Sequence, residues 1–131
     1  KGISIQSWNI SKKIKEVNDF KLSKESNEMN MFESHPELCF ESLNKNPLMH
    51  SKKTHEGLLE RLAIINKYIL LSPNKVDDFY RKFKSNMLKK DDIVDAAVLA
   101  LSAKLWSNNG KCEITQEISH DSNGIPFQIR Y

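Results

Sequence analysis

Apolar positions recur along most of this chain at the spacing of helices that bury one face. Over residues 4–20, Ile5, Trp8, Ile14, Val17 and Phe20 are candidates for the buried face. Lys12, Lys13, Lys15 and Glu16 fall outside it, so an amphipathic helix is predicted. Residues 21–27 are polar and turn-rich and read as a loop. An apolar run (Met29, Met31, Phe32) then ends in Glu33, His35 and Glu37, and Pro36 biases His35 towards extended backbone. That order predicts a buried strand at about 28–34 delivering polar groups at its end, followed by a short helix over Glu37–Leu43. Asn44-Lys45-Asn46-Pro47 closes it.

Farther on, Leu58, Leu59, Leu62, Ile65 and Ile69 keep helical spacing until Ser72-Pro73, with Ser51 or Thr54 available as N-cap. Spare backbone N–H groups at that end, beside Lys52 and Lys53, favour an anion such as a nucleic-acid phosphate. A solvated, lysine-decorated cap explains the same residues. A further helix is predicted at about 75–86 (Val76, Phe79, Tyr80, Phe83, with Met87 beyond), with Arg81, Lys82 and Lys84 on its solvated face. Asp91 through Leu101 is rich in alanine and apolar nearly all round, which predicts a deeply buried helix with its acids at the N-terminal end. From about Glu113 the chain is a tail. In it Asp121-Ser122-Asn123-Gly124 signals a turn, and Ile125, Phe127, Ile129 and Tyr131 alternate with polar residues as in an edge strand, the place Pro126 tolerates.

The acids change this picture most. Asp91 and Asp95 stand four residues apart and Asp92 and Asp95 three apart, so each pair shares a helical face. Helix capping accounts for Asp91 or Asp92. Asp95 lies one turn in, among apolar residues. Two carboxylates about 5 Å apart repel by roughly 3 kcal/mol at an effective dielectric near 20, and Glu33 would raise that cost, so a cation is expected to neutralise the group. Oxygen ligands alone suit Mg²⁺ or Mn²⁺, and two such ions about 4 Å apart serve phosphodiester cleavage. A rival zinc site would use His35, Cys39, His50 and His55, although no paired-cysteine knuckle is present. A Cys39–His35 nucleophilic pair is the weakest option, because Cys39 lacks an electropositive setting.

Composition narrows the rest. The 131 residues fit one domain, with 39% hydrophobic and 28% charged residues, ordinary for a globular chain. No apolar run approaches the roughly 20 residues that span a bilayer, so a soluble protein is expected. Cys39 and Cys112 are too few for a disulfide scaffold, and a reduced buried thiol fits the cytoplasm. A net charge of +3 permits a phosphate polymer as partner without requiring one. The start, Lys1-Gly2-Ile3, shows neither an initiator Met nor an apolar leader, which suggests a fragment or processed product.

Four motifs then carry a resemblance. Glu33-Ser-His35-Pro36-Glu37-Leu-Cys-Phe40, Ser51-Lys52-Lys53-Thr54-x-Glu56-Gly57-x-x-x-Arg61-Leu62, Asp91-Asp92-x-x-Asp95-Ala96 and Asp121-Ser-Asn-Gly124-Ile-Pro-x-x-Ile129-x-Tyr131 occur in that order. Together they resemble an uncharacterised family of predicted RNase H-like nucleases, domain of unknown function 429. Asp92-x-x-Asp95-Ala96 also resembles the last-helix motif of Holliday-junction resolvases. The resemblance implies an α/β, RNase H-like fold with acids around two metals, here its mostly helical C-terminal portion within a single domain, 1–131. It implies a magnesium- or manganese-dependent nuclease acting on DNA or RNA. Glu33, Asp92 and Asp95 would be catalytic metal ligands, assisted by Asp91, with His35 and Glu37 in supporting positions. Lys52, Lys53 and Arg61 are the candidates for phosphate contacts. Members of the family begin with a Gly/Asp-bearing strand hairpin that supplies a first metal aspartate, and nothing in residues 1–30 looks like it. The alternatives are a non-catalytic RNase H-like binding or regulatory domain, with a homodimer covering the incomplete sheet edge, and a zinc-stabilised interaction module.

Overall fold

Hydroxyl side chains open three of the five helices in the computed structural model, which describes residues 4–24, 31–83, 88–110, 113 and 119–131. Ser4 caps α1 (Ile5–Lys21), Thr54 caps α3 (His55–Ile65) and Ser72 caps α4 (Pro73–Lys82), each accepting from the backbone N–H three residues on. Between them lies α2 (Pro36–Asn44), and α5 (Lys90–Asn109) follows. The described residues are therefore mostly helical. None of these helices is long and apolar enough to cross a membrane. The chain divides into two compact units: Lys1–Glu33 with Ile118–Gln128, and Ser34–Glu117 with Ile129–Tyr131.

In the first unit α1 has the predicted extent but not the predicted burial. Ile5 is 80% exposed, and Trp8, Ile14 and Val17 are also exposed, while Phe20 is half-buried. At about 3.6 residues per turn, Ile5, Trp8 and Phe20 fall on one side and Ile10, Ile14 and Val17 nearly opposite, so the apolar residues surround the helix instead of forming one stripe. Of the strand expected at 28–34, residues 28–30 lie outside the described residues. Met31, Phe32 and Ser34 are irregular and Glu33 occupies an isolated bridge. The same unit holds a hairpin in which β1 (Ser119–His120) pairs antiparallel with β2 (Pro126–Phe127), Ser119 opposite Phe127. Asp121 builds the turn, its Oδ1 accepting from the N–H groups of Asn123 and Ile125 at 2.8 Å. Gly124 takes the left-handed conformation there, φ 79°. The strand expected through Tyr131 is thus only two residues long before a bridged stretch.

The second unit contains the core. Proline at the first turn of α2 needs extended backbone before it, and His35 has φ −118° and ψ 117°. The helix stops where Lys45 turns left-handed, φ 60°. The expected helix through Ile69 ends earlier, at Ile65. Asn66 there turns its side chain to Leu71, accepting from that N–H at 2.7 Å, and Ile69 is left exposed. α4 buries Val76 but not Phe79 or Phe83, whose rings stack 6.3 Å apart. Lys84 and Met87 lie outside the described residues, as does Cys112. α5 runs to Asn109 and ends at left-handed Gly110. It is not apolar all round. Val94, Val98, Leu101 and Ser102 are buried, while Ala96 and Ala100 are exposed. That stripe packs against α2, α3 and α4, enclosing Cys39, Phe40, Leu62, Ile64, Ile65, Leu71 and Val76. Each large side chain so removed from water contributes roughly 1.5–3 kcal/mol before chain entropy is counted.

Candidate functional site

The polar residues of the second unit meet where the segment before α3 passes the first turns of α2 and α5. Glu60, on α3, accepts the N–H of Met49 at 2.8 Å through one oxygen and that of His50 at 2.9 Å through the other. These backbone hydrogen bonds, the Met49 one first, hold its carboxyl below the ordinary value of 4.5 against the opposing effect of burial. The His50 ring nitrogen Nδ1 lies 3.4 Å from the same carboxylate. The next residue, Arg61, donates to the carbonyls of His50 at 3.1 Å and Gly57 at 3.0 Å. Gly57 is required by contact rather than conformation, because a Cβ there would lie 2.0 Å from the Ser51 carbonyl oxygen.

Arg61 also reaches α2. Its Nη2 donates to Glu37 Oε2 at 2.6 Å, its side chain is only 4% exposed, and its guanidinium lies 5.6 Å from the Phe40 ring centroid. The sequence suggested Arg61 as a phosphate contact and Glu37 as a supporting residue. The structure joins them in an ion pair in which Arg61 is turned inward and buried while Glu37 stays half-buried. The signal was present in the spacing, since Gly57, Arg61 and Ile65 fall at four-residue steps on the buried face of α3. Nothing in the pattern singled out Glu60.

The segment fixed in this way presents Lys52 to α5. Lys52 Nζ donates to Asp95 Oδ2 at 2.7 Å, with the lysine side chain 36% exposed and the aspartate 15%. That hydrogen bond raises the lysine above its ordinary 10.5 against the opposing effect of burial, with lesser help from the charges of Asp95, Asp91 and Glu37. Three carboxylates thus act on one ammonium. Asp95 Oδ1 and Glu37 Oε1 are buried without a hydrogen-bond partner, as is Arg61 Nε. The burial of unbonded carboxylate oxygens is costly, so each marks a place where a cation or donor would be stabilising.

The other candidates are more dispersed. Lys89, not an aspartate, is the N-cap of α5; Asp92 is the third helical residue and reaches back to accept the Lys89 N–H at 2.7 Å. Asp91 is half-buried in the first turn. Lys53 is exposed and available to solvent anions. Glu33 is exposed and belongs to the first unit, whereas Asp91, Asp92 and Asp95 belong to the second. His35 is exposed and makes no side-chain cap to α2. Cys39 is fully buried with its Sγ 3.3 Å from Ser34 Oγ, while His50 and His55 face solvent. Among the described residues no three of His, Cys, Asp and Glu are grouped to hold a metal ion, the His35–Cys39–His50–His55 set included.

Residues 1–119 match the family model described as "Protein of unknown function (DUF429)". No curated protein and no solved structure matches the chain.

Proposed function

Because the chain belongs to the DUF429 family, we propose that it is the helical portion of an RNase H-like domain that hydrolyses phosphodiesters in nucleic acid with Mg²⁺ or Mn²⁺. The observation that carries this reading is Asp95. It sits one turn inside α5 with one carboxylate oxygen on Lys52 and the other buried and unbonded, an acceptor suited to a hard cation. Asp95 would be the central ligand, with Asp91 and Asp92 of the same helix as the neighbouring acids. Bound metal would supply an activated water and charge stabilisation at the phosphorus. Lys52 and Lys53 would hold phosphate oxygens. Arg61 acts through Glu37 and the backbone it fixes, which makes it a positioning residue.

A second reading is favoured by two contacts in the same site. Lys52 already pairs with Asp95, and Asp92 accepts the Lys89 N–H, so these two acids have partners without metal. On that reading the chain is a non-catalytic domain that retains the fold and binds nucleic acid or protein. Thermal melting in the presence of Mn²⁺ separates the two. The nuclease reading expects the melting temperature to rise by several degrees, as linkage requires of a ligand at 100 times its Kd, and Asp95→Asn to abolish the rise. An unchanged melting temperature in the wild-type chain would leave the binding domain as the better account.

A further inference from the structure

We propose that the cleft between α1 and the β1–β2 hairpin binds a neutral, largely apolar small molecule carrying one O–H or N–H donor, and that Gln128 receives that donor. The cleft lies wholly within the first unit, has a volume of about 600 Å³ and does not depend on the metal reading given above. Ile14 and Val17 contribute to it from α1, Met31 and Phe32 from the segment before α2, and Ile125 and Pro126 from the hairpin. Ile14 is 61% exposed and Val17 52%, so this apolar lining is open to a ligand instead of being consumed by packing. Two contacts shape the cleft without a ligand. Lys21 Nζ donates to the Met31 carbonyl at 3.0 Å, tying that segment to the end of α1, and Asp121 holds the N–H groups of the hairpin turn.

The size is that of small-molecule sites, which are mostly apolar with a few polar groups that orient the ligand. Here that group is Gln128. It lines the same cleft, is only 6% exposed, and its Oε1 is buried without a hydrogen-bond partner. A buried amide oxygen left unbonded is costly, and a donor delivered by a ligand removes the cost. Charge then selects a neutral ligand. Lys13 and Lys21 line the cleft together with Glu33 and Asp121, two charges of each sign, so neither an anion nor a cation gains a net attraction.

The test titrates the full chain with two probes that share one fused-ring body. 2-Naphthol has an O–H donor, and in 2-methoxynaphthalene a methyl group caps that oxygen. Probe fluorescence follows binding at pH 7, where a phenolic hydroxyl keeps its proton. Wild type is expected to bind 2-naphthol about tenfold more tightly than 2-methoxynaphthalene, the gain of one hydrogen bond to a buried acceptor. Gln128→Leu should remove that preference, and Val17→Ser should weaken both probes severalfold. Ile10→Ser, on an exposed side chain of α1 outside the cleft, should leave both unchanged. If Gln128→Leu does not fold, the wild-type ratio and the two α1 variants decide, since both replace exposed side chains. Equal affinity for the two probes in wild type, or a preference that survives Gln128→Leu, overturns the proposal. Losses as large in Ile10→Ser as in Val17→Ser identify adsorption to the apolar surface of α1 and overturn it as well. Absence of 2-naphthol binding also overturns it, and a dimer in sedimentation that Val17→Asp dissociates would then make a second copy of the chain the occupant.

Discussion

Arg61 shows how a residue that looks like a surface cation can be a structural centre. Its guanidinium bonds Glu37, the His50 carbonyl and the Gly57 carbonyl, and it lies over Phe40. Replacement by Met would leave Glu37 charged and without its partner next to the core. Arg61→Met is therefore expected to lower the unfolding free energy by about 1–3 kcal/mol, the cost of leaving polar partners unsatisfied, Glu37 itself keeping 30% exposure. Urea denaturation measures it, and a loss under about 1 kcal/mol would mean that the pair is not a structural anchor. Glu60 allows a prediction in pH. Its folded carboxyl lies below 4.5, so its stabilisation is present above that value and is lost as pH falls through the lower folded value. The stability gap between wild type and Glu60→Gln should thus be open at pH 7 and shrink below pH about 4.5. A gap that stays constant to pH 3 would assign the stability of Glu60 to packing alone. The sequence singled out Glu37, Lys52, Arg61 and Asp95 as candidates, but which cation meets which acid depends on how α2, α3 and α5 pack, and spacing along one helix does not carry that information.

Among the elements, α2 was the most legible, since Pro36 at one end and the Asn44–Pro47 turn at the other are local signals that packing had no reason to override. Less of α3 and α1 could be read. Ile69 continues the apolar periodicity of α3, yet the Asn66 side chain captures the Leu71 N–H and ends the helix early. For α1 the apolar content was right and the stripe was missing. α5 was overcalled as buried on every side because alanine counts as apolar yet is often left exposed, and only Val94, Val98 and Leu101 form a continuous seam. Val98 is at its centre, 0% exposed and part of the core with Phe40 and Leu62. Val98→Ala is expected to cost about 1–3 kcal/mol, the transfer of the two lost methyl groups plus a small cavity. Ala96→Ser on the exposed side of the same helix should change stability by less than about 0.5 kcal/mol. Equal effects at the two positions, measured by chemical denaturation, would contradict a one-sided α5.

Taken whole, the molecule distributes its stability unevenly between its two units, with consequences that can be measured along the chain. Among the described residues, the buried hydrophobic cluster from Cys39 to Val98 lies in the unit Ser34–Glu117 with Ile129–Tyr131. In the other unit α1 exposes Ile5, Trp8, Ile10, Ile14 and Val17, each by half or more, and its hairpin strands are two residues long. A 17-residue helix with little buried surface is near the length at which helices are marginal in water. Opening it exposes little new apolar area, so its free energy of opening should lie well below that of global unfolding. Hydrogen exchange followed by mass spectrometry should show the amides of Val94–Leu101 and Leu62–Ile65 exchanging slowest, at rates set by global unfolding. Those of Ile10–Val17 should exchange at least about a hundredfold faster, corresponding to a difference of nearly 3 kcal/mol. Protection of α1 equal to that of α5 would mean that a surface not accounted for by the exposure of Ile5–Val17 is stabilising that helix. Repeated with Mn²⁺, the same experiment distinguishes local from global effects. A cation held by Asp95 should slow exchange in the first turns of α5 and in the segment carrying Lys52, while leaving Ile10–Val17 unchanged.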